Sequence, residues 1–576
     1  MKETKSAGKM LKDLPEGIQN FGQIIAENRL YADKTPYIYD LVSNTDRKFC
    51  FLFRPRRFGK TLFLDTLNEL FLGRRELFED LWIARETDYD FQPYPVLRLS
   101  MNYAETDSAE QLETNIISNL LAAAKSKGVA ITETYYDRIL KQLLEGLNKD
   151  GAGTAVLIDD YDAPVSRHFD NPKLAKASCR LIQDFLTVLQ DSGELVRFVL
   201  AAGLAGFELM SEYGPDYFDD ISLRPDFGGV CGFTVSEFDR LFGGRMDDLL
   251  KVLKKNGCLP PDSRTADLRE QILDWYGGFN WLGPEQVLNP FSIANLFSKK
   301  KFGRYWFQNK PPVRLNELIR SRPQYFLNPQ AGSSVDGYFR KVDLDYLKAL
   351  PILFYSGYLT IDKEIIIPLS EGIGLHCTIK FPNREAEDGY SSLLKDSFGK
   401  AAFNSLANLT SQFLEAADRR DSEAAAGLFA DLLARFPYFQ PKPLESQYHD
   451  FIQECLAFGG AKVQEGRSRI LGMSDIIAEY PGERYLIIAV RYQCLEKRHT
   501  EADIEQILAE ESDAALKHIA GEYYAGPLRP PARELLGLSL VFYGRKEVRS
   551  DFVSEDLLKP APARPKSKPG LKPAKK

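Results

Sequence analysis

The stretch Lys48-Phe49-Cys50-Phe51-Leu52-Phe53 runs straight into Arg54-Pro55-Arg56-Arg57-Phe58-Gly59-Lys60-Thr61, and its reading decides the fold. The first half is a short apolar run with the make-up of a buried strand. The second half ends in Gly-Lys-Thr, and from Thr61 to Leu72 apolar residues recur at helical spacing. Strand, loop and helix in that order are the context a phosphate loop requires. Backbone N–H groups across Arg57, Phe58, Gly59, Lys60 and Thr61 are then placed to meet phosphate oxygens, helped by the helix dipole. Lys60 is expected to reach the β- and γ-phosphates of ATP, and the Thr61 hydroxyl to complete a magnesium shell. The usual pattern, G-x-x-x-x-G-K-[ST], has glycine where this chain has Arg54. Arg54, Arg56 and Arg57 are expected to add positive charge where a triphosphate sits.

Outward along the chain, Ala155-Val156-Leu157-Ile158-Asp159-Asp160 is an apolar strand ending in paired acids. Asp159 at the strand's C-terminal edge is the expected magnesium ligand, with Thr61. Asp160 stands where a glutamate commonly activates water, and it is one methylene shorter. A misplacement of about 1 Å costs on the order of 100-fold in rate. Lys60 and Asp160 are therefore the catalytic candidates, with nucleotide binding the stronger expectation and fast hydrolysis the weaker. Val96 to Leu99 and Arg197 to Ala201 read as further strands, with Ala109 to Lys127 and Tyr136 to Leu147 as buried-face helices between them. Strands separated by helices predict an α/β fold with a parallel sheet covered on both faces.

The remaining sequence divides by composition. Residues 1–233 hold the P-loop core, 234–436 a helical lid and mixed middle region, 437–545 a further α/β domain behind the prolines 437, 441 and 443, and 546–576 an expected disordered, basic Pro/Lys-rich tail. Net charge is −7, and it is unevenly spread: Lys559 to Lys576 holds seven basic residues and no acid, so the body carries −7 − 7 = −14. An acidic body does not advertise a large nucleic-acid face. The tail is an expected DNA-backbone arm or, equally simply, a solvated end. Seven scattered cysteines without a C-x-x-C, and a charged N-terminus without an apolar core, fit a reduced, cytoplasmic protein. No run of about 18 apolar residues occurs, so no membrane partner is expected.

Several stretches together resemble the predicted AAA-ATPase-like bacterial proteins that carry a C-terminal PD-(D/E)XK nuclease-superfamily domain. They are Leu14 to Phe21, Tyr31 to Thr35, the loop Arg54 to Thr61, and Ile158-Asp159-Asp160-Tyr161-Asp162-Ala163-Pro164. Trp275 to Phe279, Asn289 to Ser292, Ser356 to Thr360 and Phe381 to Glu385 match as well. The family itself lacks the first glycine of the loop. The resemblance implies a P-loop ATPase core, a helical lid and a nuclease-like C-terminal fold. It implies that Tyr31 to Thr35 lines the adenine side, with Asp33 and Lys34 as candidate contacts; the alternative is a folded N-terminal turn. It also implies a Thr-Gly pair after the Arg197 to Ala201 strand, where this chain has Ala202-Gly203. A hydroxyl there would sense the γ-phosphate or orient water, and alanine cannot.

The same resemblance places a nuclease site on Glu445 in a helix, Asp475 on a strand and an E-x-K on the next strand. At that last position this chain reads Ala489-Val490-Arg491. One metal-binding acid is absent, and Arg491 is a fixed cation and a poorer proton handler than lysine. The domain is thus expected to be degenerate. Three functions remain open from the sequence: an ATP-binding switch or slow ATPase joined to a spent nuclease fold, an ATP-gated metal-dependent DNA nuclease, and a non-catalytic scaffold. Oligomerisation is open too, since no arginine can be assigned as a trans finger.

Overall fold

A computed structural model describes residues 11–104, 106–169, 171–207, 218–308, 315–321, 324–327, 335–336, 341–344, 349–369, 372–435, 445–465, 475–493, 500–524, 530–543 and 547–554. The chain divides into two compact units, Met1–Leu318 with Pro329–Leu394, and Ile319–Asn328 with Lys395–Lys576.

The first unit is built on five parallel strands: β1 (Phe49–Phe53), β2 (Val96–Ser100), β3 (Thr154–Asp159), β4 (Val196–Gly203) and β5 (Phe218–Asp220). Their order across the sheet is β2-β3-β4-β1-β5. β4 therefore lies between the strand that leads into the Gly-Lys-Thr loop and the strand that ends in Asp159. β3 is buried throughout and β1 almost so, which is why both read as continuous apolar runs rather than alternating ones. Helices α1 (Lys60–Phe71), α2 (Ala109–Lys127), α3 (Tyr136–Leu147) and α4 (Pro172–Asp191) bury apolar stripes such as Leu112, Ile116 and Leu120, or Ile182, Phe185 and Leu189.

After the sheet, a capping box between Thr234 and Glu237 starts α5 (Val235–Phe242). With α6 (Met246–Lys255), α7 (Thr265–Tyr276) and α8 (Pro290–Lys299) it forms a helical module around Phe238, Phe242, Leu249, Leu268, Ile272 and Leu296. A long antiparallel hairpin, β6 (Thr360–Leu369) and β7 (Gly372–Lys380), follows. Just beyond it, three of the stretches quoted above converge. Asn289 caps α8, Ser292 Oγ donates to Glu385 Oε2 at 2.7 Å, and Asn383 Nδ2 donates to the Gly277 carbonyl at 2.6 Å. They meet as a buried polar node, so these residues serve packing before chemistry.

The second unit carries a five-stranded sheet, β8 (Lys462–Glu465), β9 (Asp475–Tyr480), β10 (Arg484–Gln493), β11 (Glu534–Tyr543) and β12 (Glu547–Phe552), ordered as numbered. Only β10 and β11 run parallel. Alternate residues of β10 face opposite ways. Ile488 and Val490 join the core of α9 (Lys400–Arg419), α10 (Ser422–Arg435) and α11 (Glu445–Phe458), whereas Ile487 and Ala489 pack on α12 (Glu501–Ile519). Here the expected boundary differs. Residues 400–435, read with the middle region, contribute Phe413, Phe429 and Leu432 to the core of the C-terminal sheet. Helical periodicity shows that a face is buried but not against which neighbour. The tail begins later than expected, because Glu547–Phe552 is β12, paired with β11. The proline cluster at 437–443 and residues 555–576 lie outside the described residues, and with the latter goes the DNA contact expected there.

Candidate nucleotide-binding site

The phosphate loop leaves β1 at the sheet's C-terminal edge and turns into α1 through Gly59, whose φ of 101° is open to glycine at no steric cost. Lys60, the first residue of α1, is buried, and its Nζ donates to the carbonyls of Arg54 (2.7 Å) and Pro55 (3.1 Å). Burial lowers its pKa, opposed by the nearby carboxylates of Asp160, Asp162 and Asp159. The pKa of the Asp159 carboxyl is raised by burial and by the charge of Asp160, and lowered by the nearby Thr61 hydroxyl and the charge of Lys60. The two residues expected to share a magnesium ion are thus neighbours, and a hydroxyl near a carboxylate is the hard-oxygen donor set that magnesium takes.

The arginines of the loop divide. Arg54 does not add charge beside the phosphates: it is fully buried, and its guanidinium donates to the carbonyls of Phe53 (2.8 Å), Ser222 (2.7 Å) and Phe227 (2.9 Å). It also stacks over the Trp281 ring, 4.5 Å from the centroid, and burial pushes its pKa down to about 10. The missing glycine is therefore replaced by an internal brace. Arg56 and Arg57 are exposed, with Arg57 over Phe291 at 4.0 Å. Phe58 is buried in a cluster with Phe279, Trp281 and Trp306, at centroid distances of 4.8, 5.0 and 5.3 Å, so it has only backbone to offer a ligand.

Asp33 and Lys34 are committed to protein partners. Asp33 accepts from Thr35 N–H and Oγ1 and from Trp82 N–H, while Lys34 Nζ donates to Glu237 at 2.6 Å and to the Gly229 carbonyl at 2.7 Å. The pair fits the folded-turn alternative: it ties the N-terminal segment to Glu237 of α5.

Asp160 sits in the left-handed region at φ 49° and accepts from Asn102 Nδ2 at 3.0 Å. Asn102 in turn takes a hydrogen bond from Arg167. Sequence reading missed both, because Asn102 follows β2 and no motif marks it. It also passed over Asp162 as a site residue. That side chain is buried, accepts from Leu204 N–H at 2.8 Å, and has its second oxygen unpartnered. Burial, with Asp160 adding to it, pushes its pKa up to about 6. The one available signal was an acid two residues beyond a paired-acid strand end.

In the second unit, Asp475 and Ala489 are directly opposed on β9 and β10. Asp475 is fully buried, and His518 Nε2 on α12 lies 2.9 Å from its Oδ2. Ala489 fills the core beside Ala515 and Ile519, and Arg491 is buried with its Nη1 donating to the Val490 carbonyl at 2.7 Å. Glu445 opens α11, and its side chain lies outside the description. Among the described residues no three His, Cys, Asp or Glu side chains gather as a metal site. His518 could not have been found from sequence, since only the packing of α12 brings it to Asp475.

Residues 15–211 match the AAA-ATPase_like family model, described as "Predicted AAA-ATPase". Among individual proteins, the chain is 28% identical over 484 residues to the "Uncharacterized protein in vnfD 5'region" of Azotobacter chroococcum, covering 82% of this chain and 88% of that one. Among solved structures it is similar to the Aeropyrum pernix Orc1 protein in complex with DNA, at 11% identity and TM-score 0.24 over 62% of this chain and 91% of that one. It is similar also to Cdc6p from Pyrobaculum aerophilum, at 12% identity and TM-score 0.23 over 63% and 93%. Likenesses this distant leave the function to be argued from the site itself.

Proposed function

We propose that the protein binds ATP with magnesium at the Arg54 to Thr61 loop and works as a switch or slow ATPase, joined to a nuclease-like domain that has lost catalysis. The observation that carries this is the strand order, which puts Thr61, after the loop from β1, near the acid ending β3 across one intervening strand, close enough for its hydroxyl to act on the Asp159 carboxyl. In the loaded state Lys60 and the loop N–H groups bind phosphate oxygens, and Thr61 and Asp159 would hold a magnesium ion, which would neutralise charge on the phosphates. Asp160 orients water. Its short side chain and its tie to Asn102 favour slow turnover. The test is titration of the full chain with a fluorescent ATP analogue and magnesium. Wild type should bind in the micromolar range and Lys60→Ala at least a hundredfold more weakly; equal binding by both would remove the loop from the site.

For the C-terminal domain, the pairing of Asp475 with His518 and the apolar setting of Ala489 support a structural role. Asp475→Ala should lower the stability of this unit by about 1–3 kcal/mol, through the unpartnered His518 and the lost packing. It should leave any DNA cleavage by the preparation unchanged. Manganese-dependent cleavage by wild type that disappears in this variant would restore the nuclease reading.

A further inference from the structure

The peptide group joining Gly203 to Leu204 is bonded on both sides. Its carbonyl accepts from Arg54 N–H at 3.2 Å, where the phosphate loop begins, and its N–H donates to Asp162 Oδ1 at 2.8 Å. One peptide plane at the tip of β4 thus connects the loop to the turn after β3. The approach is close: a Cβ at Gly203 would lie 2.4 Å from Asp162 Oδ1 and 2.6 Å from the Tyr161 ring. Asp162 Oδ2, within the same buried turn, has no hydrogen-bond partner. An ionisable oxygen left unsatisfied in the interior is costly and calls for a reason. A use for it is Lys60, whose charge acts on Asp162 and whose N–H groups now go to the Arg54 and Pro55 carbonyls. A loop that turns its N–H groups toward phosphate must release the lysine from those carbonyls.

Resting on the ATP reading above, we propose that Asp162 is a positioning residue of the phosphate site: its Oδ1 holds the β4 tip against the loop, and its free Oδ2 receives the Lys60 ammonium when nucleotide draws Lys60 off the loop carbonyls. It acts at the strand tip where Ala202 offers no hydroxyl, though through the lysine and not on the phosphate.

The test is a double-mutant cycle on the full chain with Asp162→Asn, Lys60→Ala and the pair, read by binding of the fluorescent ATP analogue with magnesium. Asp162→Asn keeps the Oδ1 acceptor for Leu204 and removes the buried charge, so its thermal unfolding should be no lower than wild type while its affinity falls at least tenfold. The double variant should bind no worse than Lys60→Ala alone. Wild-type affinity in Asp162→Asn, tighter binding from the lost negative charge, or losses that simply add would overturn the role. Asp162→Ala separates the functions of the two oxygens: it should lose both affinity and thermal stability, and loss of stability alone would reduce Asp162 to a structural acceptor. Absence of binding by folded wild type is a different failure, and it overturns the nucleotide reading with everything built on it.

Discussion

Arg54→Gly, which restores the glycine of the usual phosphate-loop pattern, should destabilise the N-terminal unit by about 4 kcal/mol or more and should not improve nucleotide binding. The reason lies in what the guanidinium does. It is fully buried and supplies donors to the carbonyls of Phe53, Ser222 and Phe227, which belong to β1 and to the segment following β5. Without it, three buried acceptors lose their partner, each at a cost of about 1–3 kcal/mol. The contact with Trp281 goes as well, and glycine adds backbone freedom worth roughly 1 kcal/mol. Arg54→Lys should be nearly as harmful, because a point ammonium cannot span three carbonyls as the planar fork does. Urea denaturation with the nucleotide titration checks both parts. A variant with the wild-type midpoint would show the brace to be dispensable.

Stability should also fall as pH rises from about 4.5 to about 7, and Glu385 should account for on the order of 3 kcal/mol of that fall. Its carboxyl is buried, and burial pushes its pKa up to about 7, against the hydrogen bonds from Ser292 and from the Trp306 and Tyr305 backbone. The sign follows from proton counting. Between about pH 4.5 and 7 the folded chain keeps a proton on Glu385 that the unfolded chain has released, so raising pH favours unfolding. Above that window the penalty is complete and constant. Asp162, pushed up to about 6, acts in the same direction over a window ending about one pH lower. Glu385→Gln imitates the protonated form, with an oxygen for Trp306 N–H and an amide for the Ser292 hydroxyl. It should equal wild type near pH 5, exceed it at pH 8, and flatten the slope between. Parallel pH profiles for the two proteins would show that Glu385 carries no unusual proton. Because Trp306 also packs on Phe58, loss of this node should reach the phosphate loop.

The consequences at the site separate two kinds of information in the chain. Local chemistry was legible. An apolar run, a Gly-Lys-Thr turn and a helical stripe are each specified by neighbours within a dozen residues, and β1, the loop and α1 lie where that pattern puts them. The same holds for Asp159 at the end of β3, because a strand with both faces buried must be apolar until it leaves the sheet.

What a long side chain does was not legible, because its partners come from distant segments. Arg54 looked like charge for a phosphate, yet the carbonyl of Phe227, 173 residues away, is one of the groups that claims it. Lys34 looked like a ligand contact until Glu237, 203 residues on, closed around it. Helices α9 and α10 showed an apolar stripe and could not say which sheet would cover it. Hydrophobic periodicity records that a residue is buried, since burial is a property of one position. Who its partners are is a property of pairs, and the order of strands in the sheet makes the pairs. So the sequence alone determined a strand, a Gly-Lys-Thr loop and a helix in P-loop order, an acid ending a buried strand and a parallel α/β core, whereas only the tertiary structure decided which charged residues are committed to holding the fold together.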